Sequence, residues 1–249
     1  MEESAKEKAI YGLIGRNISY SFSANYFNTR FENEGIAARY INFDIADLSA
    51  LDEVFETKHL LGCNVTIPYK TSIIDYIDHL DDAAQQIGAV NCLKLTNNQI
   101  KGYNTDAFGF TKSLQKQLRS TDQSALVLGA TGGAAKAIIY ALNQLSIQVV
   151  TVSRGDTSDF TFEDLDRDTV ANTPIIINCT PLGTHPNINQ CPLLPYEALG
   201  PSHYLFDLVY NPSQTLFLKR GAEAGSRTQN GLDMLIYQAE QSWQIWNTP

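Results

Sequence analysis

Ala125-Leu126-Val127-Leu128-Gly129-Ala130-Thr131-Gly132-Gly133-Ala134-Ala135-Lys136 is the stretch that decides the fold. Four apolar residues predict a short buried strand, and the glycines behind them predict a tight turn into a helix over 137–145. Residues 148–152, Gln-Val-Val-Thr-Val, read as the next strand. Strand, glycine loop, helix and strand in this order form a βαβ unit of the ~30-residue size that dinucleotide folds use. Glycines at such a turn let the backbone approach a pyrophosphate, whose charge sits at the helix N-terminus. Gly129, Ala130, Gly132, Gly133 and Ala134 are the expected contacts. The loop departs from G-x-G-x-x-G: Thr131 takes the place of the second glycine or is inserted before Gly132-Gly133. A plain tight turn is the alternative reading.

The end of the second strand selects the nucleotide. An acidic residue there would accept from the ribose 2′-hydroxyl of NAD. This chain has Val152-Ser153-Arg154 instead. Ser153 can donate a hydrogen bond and Arg154 can pair with a 2′-phosphate, so NADP is favoured. Asp156 and Asp159 stand close enough in sequence to compete for Arg154 or repel the phosphate.

Ahead of this unit, residues 9–14, 39–45, 60–67 and 89–95 read as strands, with 100–103 a shorter candidate. Helical patterns cover 23–34, 48–57 and 73–77 into the acidic stretch beyond. Alternation of this kind implies a largely parallel sheet, and the tight stretch 91–106 implies a hairpin that makes it mixed. A helix is expected from Thr105-Asp106 to about Arg119, and further strands over 175–178 and 204–209. The tail, 234–246, has helical periodicity with Trp243 and Trp246 on or near its apolar face. The expected fold is α/β in two domains: a substrate-binding catalytic domain over 1–107 and a Rossmann-type domain over 108–230. The tail helix fits either half on these grounds.

Composition sets outer limits. The chain has 249 residues, 43% hydrophobic and 18% charged, with a formal charge of −9. That is enough for one large or two modest cores, and the acidity argues against a nucleic-acid partner. Cys63, Cys92, Cys179 and Cys191 show no C-x-x-C spacing and read as buried free thiols in a reducing cytosol. The four histidines are scattered, so no metal site is expected. No apolar run approaches the ~18 residues that cross a bilayer, and the charged start of the chain does not read as a signal peptide. A cytoplasmic location follows as the expectation. Monomer and homodimer are equally compatible with the sequence.

Polar residues end several of the apolar runs. Asn64-Val65-Thr66-Ile67-Pro68-Tyr69-Lys70 closes one, Gly88-Ala89-Val90-Asn91 opens another, and Asn104-Thr105-Asp106 follows the hairpin. Strand ends line the binding crevice of an α/β protein. Asn64, Thr66, Asn91 and Asn104 there suggest a pocket for a polyol, or else a set of loop ties. In Ser21-Phe22-Ser23, Ser23 is a plausible N-cap and Ser21, without that duty, can donate to a carboxylate. Lys70 is a cation at neutral pH, and Asp106 sits at a helix start where the dipole stabilises an anion. Together they could run proton chemistry; singly, each has an ordinary structural explanation.

These segments resemble the shikimate dehydrogenase family, including its quinate/shikimate relatives. The likeness runs over nearly the whole chain and continues through Asn178-Cys179-Thr180-Pro181-Leu182-Gly183 and Asn230-Gly231-Leu232-Asp233-Met234-Leu235 to Gln238. It implies reversible NADPH-dependent reduction of 3-dehydroshikimate to shikimate, a step of chorismate and aromatic amino acid biosynthesis. By that resemblance Ser21 and Ser23 hold the substrate carboxylate, and Thr66, Asn91 and Gln238 contact ring hydroxyls. Lys70 and Asp106 flank the reacting oxygen, and which of them moves the proton is not readable. Gly231, Met234 and Thr180 lie on the cofactor side, with Tyr210 near the cleft. The family's tail helix, here 231–249, returns to the N-terminal domain. Three positions depart from the family pattern: Thr131, Ser153-Arg154-Gly155 in place of Asn-Arg-Thr, and Ala24 in place of a proline. A dehydrogenase using quinate and NAD as well is the nearest alternative, and a non-catalytic ligand-binding homologue is the remote one.

Overall fold

The mixed sheet of the first half is built on two adjacent parallel strands, β1 (Ala9–Gly15) and β3 (Leu60–Val65). Apart from exposed Leu61, both are largely buried on two faces, which is why they read as continuous apolar runs rather than as alternating ones. The computed structural model describes residues 8–19, 21–97, 99–155 and 157–248. The charged segment 1–7 and Asp156, on which expectations were placed, lie outside the described residues. Two compact units result: residues 1–105 with 239–249, and residues 106–238.

In the first unit, α1 (Phe22–Asn33) connects β1 to β2 (Ala38–Asp44), and α2 (Leu51–Phe55) leads to β3. Then come β4 (His79–Leu80), α3 (Asp82–Ile87), β5 (Cys92–Thr96) and β6 (Gln99–Tyr103). The sheet order is β2-β1-β3-β5-β6-β4, with β5 antiparallel to both β3 and β6. The predicted hairpin is therefore present. The predicted helix over 73–77 is instead a 3₁₀ turn, Ser72–Tyr76, followed by β4 and α3, whose N-cap is Asp81. The cap of α1 also differs from expectation. Ser21, not Ser23, accepts the Ala24 N–H (3.3 Å), and Ser23 is buried in the first turn.

Two apolar layers cover this sheet. Ile14, Cys63, Val65, Leu93 and Ile73 pack on one face. Tyr11, Phe27, Phe31, Tyr40 and Trp246 pack on the other. Phe27 and Phe31 lie four apart on α1 and so share its inner face. The Trp246 indole stacks on Tyr11 at 4.8 Å and donates from Nε1 to the Leu93 carbonyl (2.8 Å). Gly62 must be a glycine because the indole occupies the place of a Cβ.

The second unit holds α4 (Asp106–Leu114), β7 (Ser124–Leu128), α5 (Gly133–Gln144), β8 (Gln148–Ser153) and β9 (Phe160–Thr161). It continues with α6 (Arg167–Asn172), β10 (Ile175–Asn178), β11 (Tyr204–Asp207), α7 (Leu216–Glu223) and β12 (Arg227–Gln229). All its strand pairs are parallel, in the order β12-β11-β10-β7-β8-β9. Strand order reverses between β7 and β10, the switch point at which such sheets bind nucleotides. The predicted Rossmann-type domain is thus observed. α4 stops short of the expected Arg119. Its chain tightens into i→i−3 turns after Leu114, and the Arg227 guanidinium takes the Gln117 carbonyl (2.5 Å) while pairing with buried Asp122 (2.8 Å).

The last helix, α8 (Leu232–Asn247), is divided between the units: 232–238 group with the second and 239–247 with the first. Gly109 of α4 lets backbones meet in the second unit, since a Cβ there would lie 2.5 Å from the Met234 carbonyl.

Candidate functional site

In the first unit the candidate residues gather where β1 and β3 end. Residues 66–70 leave β3 pinned at several points. The Thr66 N–H donates to Ile14 O (2.9 Å), Tyr69 Oη donates to Ile45 O (2.8 Å), and Lys70 O accepts from Val90 N (2.7 Å). Gly15 makes room for Thr66, whose Cγ2 would lie 2.5 Å from a Cβ. Thr66 and Lys70 are both half-buried. The loop ahead of Ser21 is held by Asp44, whose two carboxylate oxygens accept from Asn17 N (2.8 Å) and Ile18 N (3.2 Å). Ser21 accepts from a backbone N–H, which leaves its hydroxyl proton able to donate.

Asn64, Asn91 and Asn104, read from sequence as pocket or tie, all make ties. Asn104 Nδ2 donates to Ala89 O (2.9 Å). Asn64 accepts from Tyr40 Oη (2.9 Å) and donates to Asn91 O (3.2 Å) and Ser242 Oγ (2.8 Å). The carboxamide of Asn91 accepts from Thr105 N (2.6 Å) and donates to Thr105 Oγ1 (3.0 Å). Burial holds the Tyr40 phenol well above its ordinary pKa, with Ser23 bonded to it. Thr105 leads directly into Asp106, so this clamp fixes the backbone at that point.

In the second unit, Asp106 is the buried first residue of α4. Gln238, also buried, donates from Nε2 to Leu235 O (2.9 Å). The glycine loop has the form a pyrophosphate needs. Gly129 is left-handed (φ +80°), and a Cβ there would lie 2.7 Å from Thr180 Cγ2, so glycine is required twice over. A Cβ on Gly132 would meet nothing closer than 3.9 Å, which leaves the N-terminus of α5 open to close approach. Ala130 N is tied back to Val152 O (3.2 Å), and Gly133 and Ala134 begin α5. Thr131 is exposed with an ordinary negative φ, so the departure from a glycine at that point costs the turn nothing.

Around β8, Ser153 is buried and its hydroxyl is spent on the turn, donating to Gly155 O (3.0 Å). Asp159 does not reach for Arg154. One of its oxygens accepts from both Thr151 N (2.8 Å) and Thr151 Oγ1 (2.7 Å), and Arg154 is exposed.

The loops after β10 and β11 share an anchor that the sequence reading missed. Asp207, fully buried, accepts from Asn178 Nδ2 (2.9 Å), Val209 N (3.0 Å) and Thr215 Oγ1 (2.5 Å). Asn178 in turn accepts from Thr180 N (2.9 Å) and Oγ1 (2.6 Å). Burial pushes the Asp207 carboxyl up to about 6, against the three donors that favour its anion. Tyr210, half-buried, follows on this loop, and burial raises its phenol. Gly231 donates to Val209 O (3.2 Å), and any Cβ there would run into the Leu208 carbonyl. Its glycine therefore answers first to the backbone beside it. Met234 is buried one turn further on. The one hint of Asp207 in the sequence was an acid closing the apolar run Tyr204-Leu205-Phe206.

All four cysteines are free thiols. Cys63 and Cys92 are buried as expected, whereas Cys179 and Cys191 are only half-buried because they sit in loops. Among the described residues no cluster of His, Cys, Asp or Glu could hold a metal, and no helix is long and apolar enough to cross a membrane.

Residues 13–93 match the family model described as the shikimate dehydrogenase substrate binding domain. The shikimate dehydrogenase (NADP(+)) of Methanococcus maripaludis strain C7 is 36% identical, over 95% of this chain and 90% of its own length. The Thermus thermophilus shikimate 5-dehydrogenase, solved with NADP(H) and shikimate, superposes with a TM-score of 0.86 at 27% identity, covering 96% of this chain and 93% of that one. The Listeria monocytogenes enzyme, solved with shikimate and NAD, gives 0.86 at 28%, covering 99% and 94%.

Proposed function

This chain is a member of the shikimate dehydrogenase family, and from that premise we propose that it catalyses the reversible NADPH-dependent reduction of 3-dehydroshikimate to shikimate. One observation carries the reading: the near full-length match to an NADP-dependent shikimate dehydrogenase. The pinned polar loops at the ends of β1 and β3, and the open glycine turn at the β7/β10 switch point, fit the two ligands the reaction needs.

Bound NADPH supplies the hydride. Ser21 and Ser23 hold the substrate carboxylate at the first turn of α1, whose N-terminus favours an anion. Thr66, Asn91 and Gln238 take ring hydroxyls, and Tyr210 borders the cleft. As hydride reaches the ketone carbon, negative charge builds on its oxygen. Lys70 stabilises that charge and delivers a proton, while Asp106 acts on the reacting hydroxyl. On the cofactor side, Gly129, Ala130, Gly132, Gly133 and Ala134 receive the pyrophosphate, and Thr180, Gly231 and Met234 border the nicotinamide. With Ser153 engaged in its own turn, Arg154 carries recognition of the 2′-phosphate. Burial of Cys63 and Cys92 as free thiols supports a reducing, cytoplasmic setting.

The test is an NADPH absorbance assay with shikimate and quinate, each against NADP and NAD. Shikimate with NADP is expected to give the highest kcat/KM of the four. A relative that binds NAD, together with a single arginine at the phosphate position, favours dual cofactor use as the second reading. Comparable rates with NAD would establish it. Binding of shikimate and NADP with no turnover would instead indicate a ligand-binding homologue. Arg154→Ala should raise KM for NADP by about tenfold, the loss of a charge-assisted contact, with a far smaller change for NAD. Equal losses for both nucleotides would remove Arg154 from 2′-phosphate recognition.

A further inference from the structure

Ser242 lies in the part of α8 that belongs to the first unit, and it is fully buried. Alanine is the better helix former and would fit wherever serine fits, so a hydroxyl at zero exposure calls for an explanation. Its contacts supply one. Ser242 Oγ accepts from Asn64 Nδ2 (2.8 Å) and lies 3.2 Å from Thr105 Oγ1.

The orientations of the two carboxamides are fixed by groups that cannot reverse. The Asn91 backbone carbonyl can only accept, so the edge of Asn64 facing it is Nδ2. Its Oδ1 then faces Tyr40, and the phenol must donate. At the other end, the Thr105 backbone N–H can only donate, so the edge of Asn91 facing it is Oδ1. The two carboxamides are thereby set in single orientations. Ser242, having accepted from Asn64, lies 3.2 Å from Thr105 Oγ1, where either hydroxyl can donate, and Thr105 Oγ1 receives Asn91 Nδ2 (3.0 Å). A continuous chain runs Tyr40–Asn64–Ser242–Thr105–Asn91. Such chains polarise along their length and lock their members' rotamers.

We propose that Ser242 is a positioning residue: bonded to Asn64 and set against Thr105 Oγ1, it holds in place the Thr105 hydroxyl on which the substrate-binding Asn91 carboxamide rests. The proposal rests on the reading of Asn91 as a substrate contact, given above. Ser242 is fully buried, and its effect is transmitted through the side chains it bonds.

The experiment compares Ser242→Ala, Ser242→Thr and Asn91→Ala with the unaltered protein, measuring kcat, KM for shikimate, KM for NADP and thermal midpoint. Ser242→Ala is expected to raise KM for shikimate by about five- to tenfold, the scale of one lost buried hydrogen bond. KM for NADP should stay close to that of the unaltered protein, and the thermal midpoint should fall by only a few degrees, because alanine's better helix propensity offsets part of the lost hydrogen bond. Ser242→Thr, which restores the hydroxyl, should recover most of the shikimate KM. If Ser242→Ala leaves that KM within about twofold while Asn91→Ala raises it, the positioning role is overturned and the site reading stands. If Ser242→Ala lowers the thermal midpoint and weakens both ligands together, the serine is structural only and the proposal fails. If Asn91→Ala itself leaves the shikimate KM unchanged, the site reading falls, and this proposal falls with it.

Discussion

Lys70→Ala is expected to lower kcat for shikimate oxidation by about 10²- to 10⁴-fold, the range that one positioned acid–base group contributes. KM for shikimate should move little. In this direction Lys70 takes the hydroxyl proton, and the ammonium it becomes stabilises charge on the reacting oxygen, which develops in the transition state rather than in the bound ground state. The structure supports a fixed placement of the residue: its carbonyl is held by Val90 N, and the preceding Tyr69 is anchored to Ile45. Steady-state kinetics over a range of shikimate concentrations separate the two parameters. A large rise in KM with kcat preserved would leave Lys70 as a binding group only.

Trp246→Ala is expected to destabilise the first unit by about 3–5 kcal/mol, the range for deleting a large buried aromatic. The indole is 6% exposed, stacks on Tyr11, lies 5.5 Å from Phe27 and donates to the Leu93 carbonyl. Its removal opens a cavity over Gly62, which has no side chain of its own to fill the space. It also leaves the Leu93 carbonyl without that donor. Trp246→Phe keeps most of the ring and loses only the hydrogen bond, so a cost nearer ~1 kcal/mol is expected. Urea denaturation of the three proteins tests this. A Trp246→Ala penalty below about 1 kcal/mol would mean that the tail helix is held elsewhere.

The parts of the fold that were legible in the sequence are those where one physical signal dominates. The β7–glycine–α5–β8 segment combines strand, turn and helix signals within a few residues, and it folds as read. The hairpin of β5 and β6 was visible from its spacing. Short elements were not. β9 has two residues and β12 three, Arg-Thr-Gln, too few and too polar to show a period. α6 and α7 are held by their caps, Asp166 and Thr215, and α7 carries a glycine inside it that hides the helical pattern.

At the candidate site, sequence could place residues at strand ends but could not say which hydroxyls were spoken for. The bond from Ser153 to Gly155, for example, is invisible without coordinates. The capping duty of Ser21 was hidden for the same reason. Tyr40, Ser242 and Asp207 went unnoticed because each is a polar residue inside an apolar pattern, where only partners distinguish a tie from a mere substitution. Thr131 was the reverse case: a departure in sequence that the observed turn accommodates without strain.

The division of α8 has a consequence for how the protein is made. Residues 239–247 close one face of the first unit's sheet, so that unit needs Trp246 in place to bury Tyr11 and Phe27. On a ribosome, the 106–238 segment is complete before those residues have been translated. Chains with domains in series generally fold from the N-terminal end as synthesis proceeds. Here residues 106–238 intervene between β1 and the part of α8 that covers Tyr11 and Phe27, so that aromatic face is synthesised well before its cover.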